Sequence, residues 1–193
     1  MFVLSSLKDI AKVESRKFAQ DQLSVVSTIL ENKFANKVVV NLGLCICLFD
    51  VTGVEDSYIL AGEGGYHVRV HFRYVVFRPF MNEVIVGKVK SSGTDGIHVS
   101  LGFFEDILIP PDKMRPMTTL GDDHLWIWHY DTDAGRADLH FDLDEQIRFK
   151  VIDEIFTEVG PPSTNPEPGK EQIPYKLIGS IDDDGLGLLK WWS

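Results

Sequence analysis

Phe77-Arg-Pro-Phe-Met-Asn-Glu-Val-Ile-Val-Gly-Lys-Val-Lys90 is the stretch that decides how the chain is divided. Pro79 has no amide proton to give a sheet ladder, so a strand arriving from its left must stop or become an edge there. Arg78, just before it, is pushed into an extended conformation. No glycine lies between Tyr74 and Val86. The segment therefore reads as a short, stiff joint built on Phe77, Pro79 and Phe80, not as a flexible linker. At 193 residues the chain is long enough for two half-sized domains. The expected boundaries are 1–80 and 81–193.

Left of the joint, Tyr66 to Phe77 alternates His67, Arg69, His71 and Arg73 with Val68, Val70, Phe72 and Tyr74. Successive strand side chains point to opposite faces, so one face is basic and the other buried. The basic face is either simply solvated or docks an acidic partner or a nucleic acid. Ala61-Gly-Glu-Gly-Gly65 before it is a hairpin turn. A phosphate cradle would need a following Lys-Ser/Thr and a helix, and a strand follows instead. Further back, Leu42 to Val54 and Val38 to Val40 read as strands. Ser15 is the expected cap of a helix over Phe18 to Phe34, with Leu23, Val26, Leu30 and Phe34 as its apolar stripe. Phe2 to Val13 is the first strand, with Val3, Ser5, Leu7 and Asp9 on one face. The order β–α–β–β–β predicts an α+β domain of one helix on a small antiparallel sheet.

Right of the joint, Glu83 to Lys90 is a strand, Ser91-Ser-Gly-Thr-Asp-Gly96 its turn, Ile97 to Leu101 the return and Phe104 to Ile109 a third strand. Trp126-Ile-Trp-His-Tyr130, Ile147 to Glu158 and Tyr175 to Ile181 follow as further strands. Residues 160–172 form a proline-rich insertion holding four of the nine prolines. Short strands at turn-marked intervals without a convincing helix predict an all-β OB-fold barrel of five strands with insertions. Trp126, Trp128 and Tyr130 share one strand face, which either packs a core or meets a partner.

Charge divides at the same place. Residues 1–80 hold 9 Lys+Arg against 8 Asp+Glu, a net of +1, and residues 81–193 hold 10 against 21, a net of −11. An acidic half repels phosphate backbones at long range, so nucleic-acid contact there must be local and weak or assisted by a larger assembly. Cys45 and Cys47 are too few for a disulfide framework and fit a reducing compartment. They are expected to share a strand face, buried as small apolar residues, since a closed metal site needs about four ligands. Asp131-Thr-Asp133 lacks the glycine position and the terminal glutamate of a calcium loop. The longest apolar run, Leu42 to Phe49, is eight residues, against about 20 for a membrane span. A soluble, intracellular protein without a signal peptide is expected, with no catalytic motif, cofactor or metal site.

Gly87-Lys-Val89, Gly96-Ile-His-Val-Ser-Leu101 and Gly102 to Pro110 together resemble the ribosomal-protein-S1-type RNA-binding OB-fold. Val75-Val-Phe-Arg-Pro-Phe80 with Glu83-Val84 resembles the domain junction of the stalk subunit shared by archaeal and nuclear RNA polymerases. Val40-Asn-Leu-Gly-Leu-Cys-Ile-Cys-Leu-Phe-Asp50, Val99-Ser-Leu-Gly-Phe-Phe-Glu-Asp-Ile-Leu-Ile-Pro-Pro111 and Gly185-Leu-Gly-Leu-Leu-Lys-Trp-Trp192 are similar to the RNA polymerase III branch of that family. The resemblance runs from Met1 to Trp192 apart from the proline-rich insertion.

It implies a non-catalytic nuclear subunit with an N-terminal tip domain that docks on the RNA polymerase III core. Such a subunit pairs with a small helical subunit as a heterodimer and supports initiation on genes for small untranslated RNAs. The barrel would lie near nascent RNA and initiation factors. Candidate RNA-contact residues are Lys88, Lys90, His98, Phe103 and Phe104. His98 stands where barrels that bind RNA well often carry an aromatic, and it stacks less extensively. Candidate contacts to a partner or to the polymerase core are His67, Arg69, His71, Arg73, Trp126 and Trp128. A free-standing RNA-binding OB-fold accessory factor is the alternative reading.

Overall fold

A computed structural model describes residues 1–132, 135–158 and 173–192. The proline-rich insertion at 160–172 lies outside the described residues. The chain divides into two compact units, Met1–Arg78 and Pro79–Ser193.

In the first unit, β1 (Phe2–Glu14), α1 (Gln22–Phe34), β2 (Lys37–Val39), β3 (Gly43–Ile59) and β4 (Gly65–Phe77) follow in order. The sheet order is β1-β4-β3-β2, with every neighbouring pair antiparallel. The inward row of β4, Val68, Val70, Phe72, Tyr74 and Val76, is fully buried, and Val25, Val26 and Leu30 of α1 pack on it. The helix begins later than its spacing suggested. Asp21 is the cap, its carboxylate accepting from the Ser24 amide at 2.9 Å, whereas Ser15 opens a separate 3-10 turn over Ser15–Lys17. The shift moves Leu23 out to solvent and puts Val25 in the core. Asn36 ends the helix in the left-handed region (φ 56°), a conformation asparagine tolerates.

The two cysteines do not share a face. Cys45 pairs with Val76 and Cys47 with Val75, so a β-bulge inserts Ile46 between them. Cys45 is buried and its thiol pKa pushed up by that burial, while Cys47 is exposed. An extra residue reverses the alternation beyond it, which the residue pattern alone does not reveal.

The second unit runs β5 (Val84–Gly93), β6 (Gly96–Ser100), β7 (Ile107–Ile109), β8 (Thr118–Leu120), β9 (Trp126–Thr132), β10 (Gly135–His140), β11 (Gln146–Phe156), β12 (Tyr175–Ser180) and β13 (Gly187–Leu188). Strands β12-β7-β6-β5-β11 lie in that order, and a further β11–β12 pairing closes them into a five-stranded barrel of OB type. Only the β7–β12 pairing within it is parallel. Val89, Ile97, Val99, Ile107, Ile109, Ile147, Phe149 and Leu177 fill its interior. Gly96 makes the β5–β6 turn at φ +132°, where a Cβ would stand 2.2 Å from the Ile109 carbonyl oxygen. Strands β10-β9-β8 form a separate antiparallel sheet inserted between β7 and β11.

Candidate nucleic-acid and partner interface

Along β5 the two-residue period turns Val84, Val86, Lys88 and Lys90 outward and Ile85, Gly87 and Val89 inward. Beside this row lies a groove of about 480 Å³, lined among others by Val86, Lys88, Lys90, Leu101, Glu105 and Asp144. Gly87 lets β6 come close, because a Cβ there would meet Val99 Cγ1 at 2.5 Å. Lys88 and Lys90 therefore share one groove. Lys90 is ion-paired with Glu105, and the His98 Nε2 lies 2.8 Å from an Asp95 carboxylate oxygen. Lys88 has no ion-pair partner among the described residues. Phe103 is exposed. Phe104 is not part of this surface: it is 5% exposed and its ring packs 5.5 Å from that of Tyr175. The Asp106 carboxyl pKa is raised, first by burial and then by neighbouring Glu105. The groove thus balances two lysines against Glu105 and Asp144, so it offers a polyanion little net attraction.

On the first unit, the basic row of β4 is neutralised. Arg73 Nε donates to an Asp50 carboxylate oxygen at 2.8 Å, with its guanidinium 5.0 Å from the centroid of the Phe49 ring. Glu55 accepts from Arg69 at 3.1 Å and lies 2.7 Å from His71 Nε2. Glu63 lies 2.7 Å from His67 Nε2 and 2.9 Å from Lys12 Nζ. The Tyr58 ring stacks on His67 with centroids 5.6 Å apart. Hydrogen bonds hold all three carboxylates below their ordinary pKa range: Arg73 acts on Asp50, His71 and then Arg69 on Glu55, and Lys12 and then His67 on Glu63. Asp50 and Glu55 come from β3, whose four register shifts against β4 hide this matching from a reading of the sequence.

Trp126 and Trp128 are buried within the second unit, leaving Tyr130 as the exposed member of their row. Trp126 Nε1 donates to the Gly93 carbonyl at 2.9 Å. Trp128 packs 5.4 Å from Trp191, which meets Phe141 edge-on at 4.6 Å. Arg115 holds this cluster together. Its guanidinium lies 4.6 Å from the Trp128 ring and 5.3 Å from Trp192, and Nη2 donates to the Asp183 carbonyl at 2.6 Å. No local pattern singled out Arg115, since its partners lie up to 77 residues away at Trp192.

At the joint, Phe77 is buried in the first unit with its ring 5.8 Å from Phe2. Pro79 follows β4, and the Phe80 amide donates to Glu83 Oε2 at 2.8 Å while its ring is exposed.

Two family models match the chain. The one described as RNA polymerase III subunit Rpc25 covers residues 83–192, and the one described as the SHS2 domain found in the N terminus of Rpb7p and Rpc25p covers residues 8–64. The chain is 44% identical to DNA-directed RNA polymerase III subunit RPC8 of Bos taurus, across 100% of this chain and 99% of that protein. It is 36% identical to the subunits of the same name from Schizosaccharomyces pombe and from Saccharomyces cerevisiae, across 100% of both partners in each case. With over half the chain covered by the first model and relatives aligned along its length, the chain belongs to the RNA polymerase III subunit Rpc25 family.

Proposed function

We propose that this chain is a non-catalytic stalk subunit of DNA-directed RNA polymerase III, acting in nuclear transcription. Its first unit docks on the polymerase core, it pairs with a small helical subunit as a heterodimer, and it supports initiation on genes for small untranslated RNAs. Residues Phe77, Pro79 and Phe80 are the joint between its domains. The observation that carries the reading is the alignment of full-length polymerase III subunits along the whole chain. It is supported by the paired charges of β4, which suit a protein contact more than a phosphate backbone.

The barrel contacts nascent RNA weakly, through Lys88, Lys90, His98 and Phe103. One unpaired lysine and one exposed ring supply little: base stacking on an aromatic contributes about 1–3 kcal/mol per base, and the −11 charge of residues 81–193 opposes it. Rapid depletion of the chain, followed by pulse labelling of newly made RNA, tests the reading. Small untranslated transcripts should fall within minutes while messenger precursors persist. An equal fall of both classes, or of neither, overturns it.

A further inference from the structure

We propose that the outer edge of β1, from Val3 to Lys8, takes an extended strand from a protein partner, which adds to the sheet of the first unit. Strand β1 ends the order β1-β4-β3-β2, and among the described residues no strand pairs with its other side. It is 13 residues long, about 43 Å at roughly 3.3 Å per residue, and it pairs with β4 without one register shift. Such a long, regular edge presents a row of unpaired backbone donors and acceptors. The other sheet edges are guarded. Strands β2 and β8 have three residues each and β13 two, and β10 carries Arg136, Asp138 and His140. Beyond Cys45, where the β2 pairing ends, β3 is an edge as well, but four register shifts against β4 break its regularity and it carries Asp50, Glu55 and Asp56. Residues 2–7 of β1, by contrast, hold no charge and no proline.

Burial points the same way. The inward row of β4 from Val68 to Val76 is fully buried, but Val3, Ser5 and Leu7, on the same face of the neighbouring strand, are only half-buried. The core is therefore open along β1. On the outward face Leu4 is 44% exposed. Among the charges of the strand, Lys12 is matched by Glu63 and Asp9 by Lys33, whereas Lys8 has no ion-pair partner among the described residues. The occupant that satisfies all of these is an extended, apolar protein segment with a carboxylate that reaches Lys8. Main-chain hydrogen bonds would supply its affinity, and the apolar row and the lysine its register.

The partner belongs to the polymerase assembly, so this inference rests on the functional reading above. The test compares amide hydrogen exchange in the isolated full chain and in the complex recovered through a tag on it. The amides of Val3 to Leu7 that face away from β4 should exchange at least about tenfold more slowly in the complex. Leu4→Lys should lower recovery of the complex about tenfold while leaving the melting temperature of the isolated chain unchanged. Recovery of the complex with these amides exchanging as they do in the isolated chain overturns this inference alone, as does protection of the Leu4 side chain from oxidative labelling without amide protection. Recovery of the chain with no polymerase subunits overturns both readings.

Discussion

Arg115→Ala should destabilise the second unit by about 2 kcal/mol. The mutation removes a charge-assisted hydrogen bond to the Asp183 carbonyl, contributing about 1.5–3 kcal/mol, and two cation–π contacts contributing about 0.5–1 kcal/mol each. Against that stands the desolvation of a guanidinium whose side chain is 8% exposed and whose Nε finds no partner, a cost of about 1–3 kcal/mol. The difference leaves about 2 kcal/mol, or a fall in melting temperature on the order of 10 °C for a unit of this size. All four tryptophans, Trp126, Trp128, Trp191 and Trp192, belong to the second unit, so their fluorescence in a urea titration follows that unit selectively. Arg115→Lys, which keeps the charge but not the planar fork, should lose at least half as much as the alanine variant. A loss under about 0.5 kcal/mol for Arg115→Ala would refute the reasoning, because it would place the guanidinium among ordinary surface groups.

Gly96→Ala places a Cβ 2.2 Å from the Ile109 carbonyl oxygen at a φ of +132°, and should cost more than about 2 kcal/mol in chemical denaturation. The lowered carboxylate pKa values of Asp50, Glu55 and Glu63 favour the first unit in full above their unfolded-chain values of about 4. That contribution is lost as the pH falls through the lowered folded values. Thermal stability measured from pH 6 to pH 3 should fall at the acid end, and less steeply in Arg73→Gln. Binding of single-stranded RNA to the isolated chain should be weak, with a log–log salt slope no steeper than about −1, since one unpaired lysine neutralises one phosphate at about 0.7 per contact. A slope of about −3 or steeper would show a larger cationic surface than Lys88 provides.

The alternations were the legible part of the sequence. Val68, Val70, Phe72 and Tyr74 stand at every second position, and a strand of that period has one way to bury them; the fold class and the β–α–β–β–β order follow. Legibility ended where geometry is non-local. A period of two puts Cys45 and Cys47 on one face, and the bulge between them, invisible to that period, puts them on opposite faces. Serine caps well, which favours Ser15 in the sequence, yet Asp21 supplies the capping carboxylate. The basic row of β4 looked free because its carboxylates arrive from β3 and from the turn at Glu63. Phe104 resembled a surface aromatic beside Phe103, but a hydrogen bond from the Leu101 amide to the Phe104 carbonyl tightens that connection and its ring joins Tyr175 in the core.

The most direct test of the central claim is the stoichiometry of the complex recovered from cells through a tag on the full chain, read by quantitative mass spectrometry. A stalk subunit of RNA polymerase III should be recovered in a one-to-one ratio with the largest polymerase III subunits and with one small helical protein. Recovery of the intact chain alone, or with RNA and no large polymerase subunit, would contradict the account.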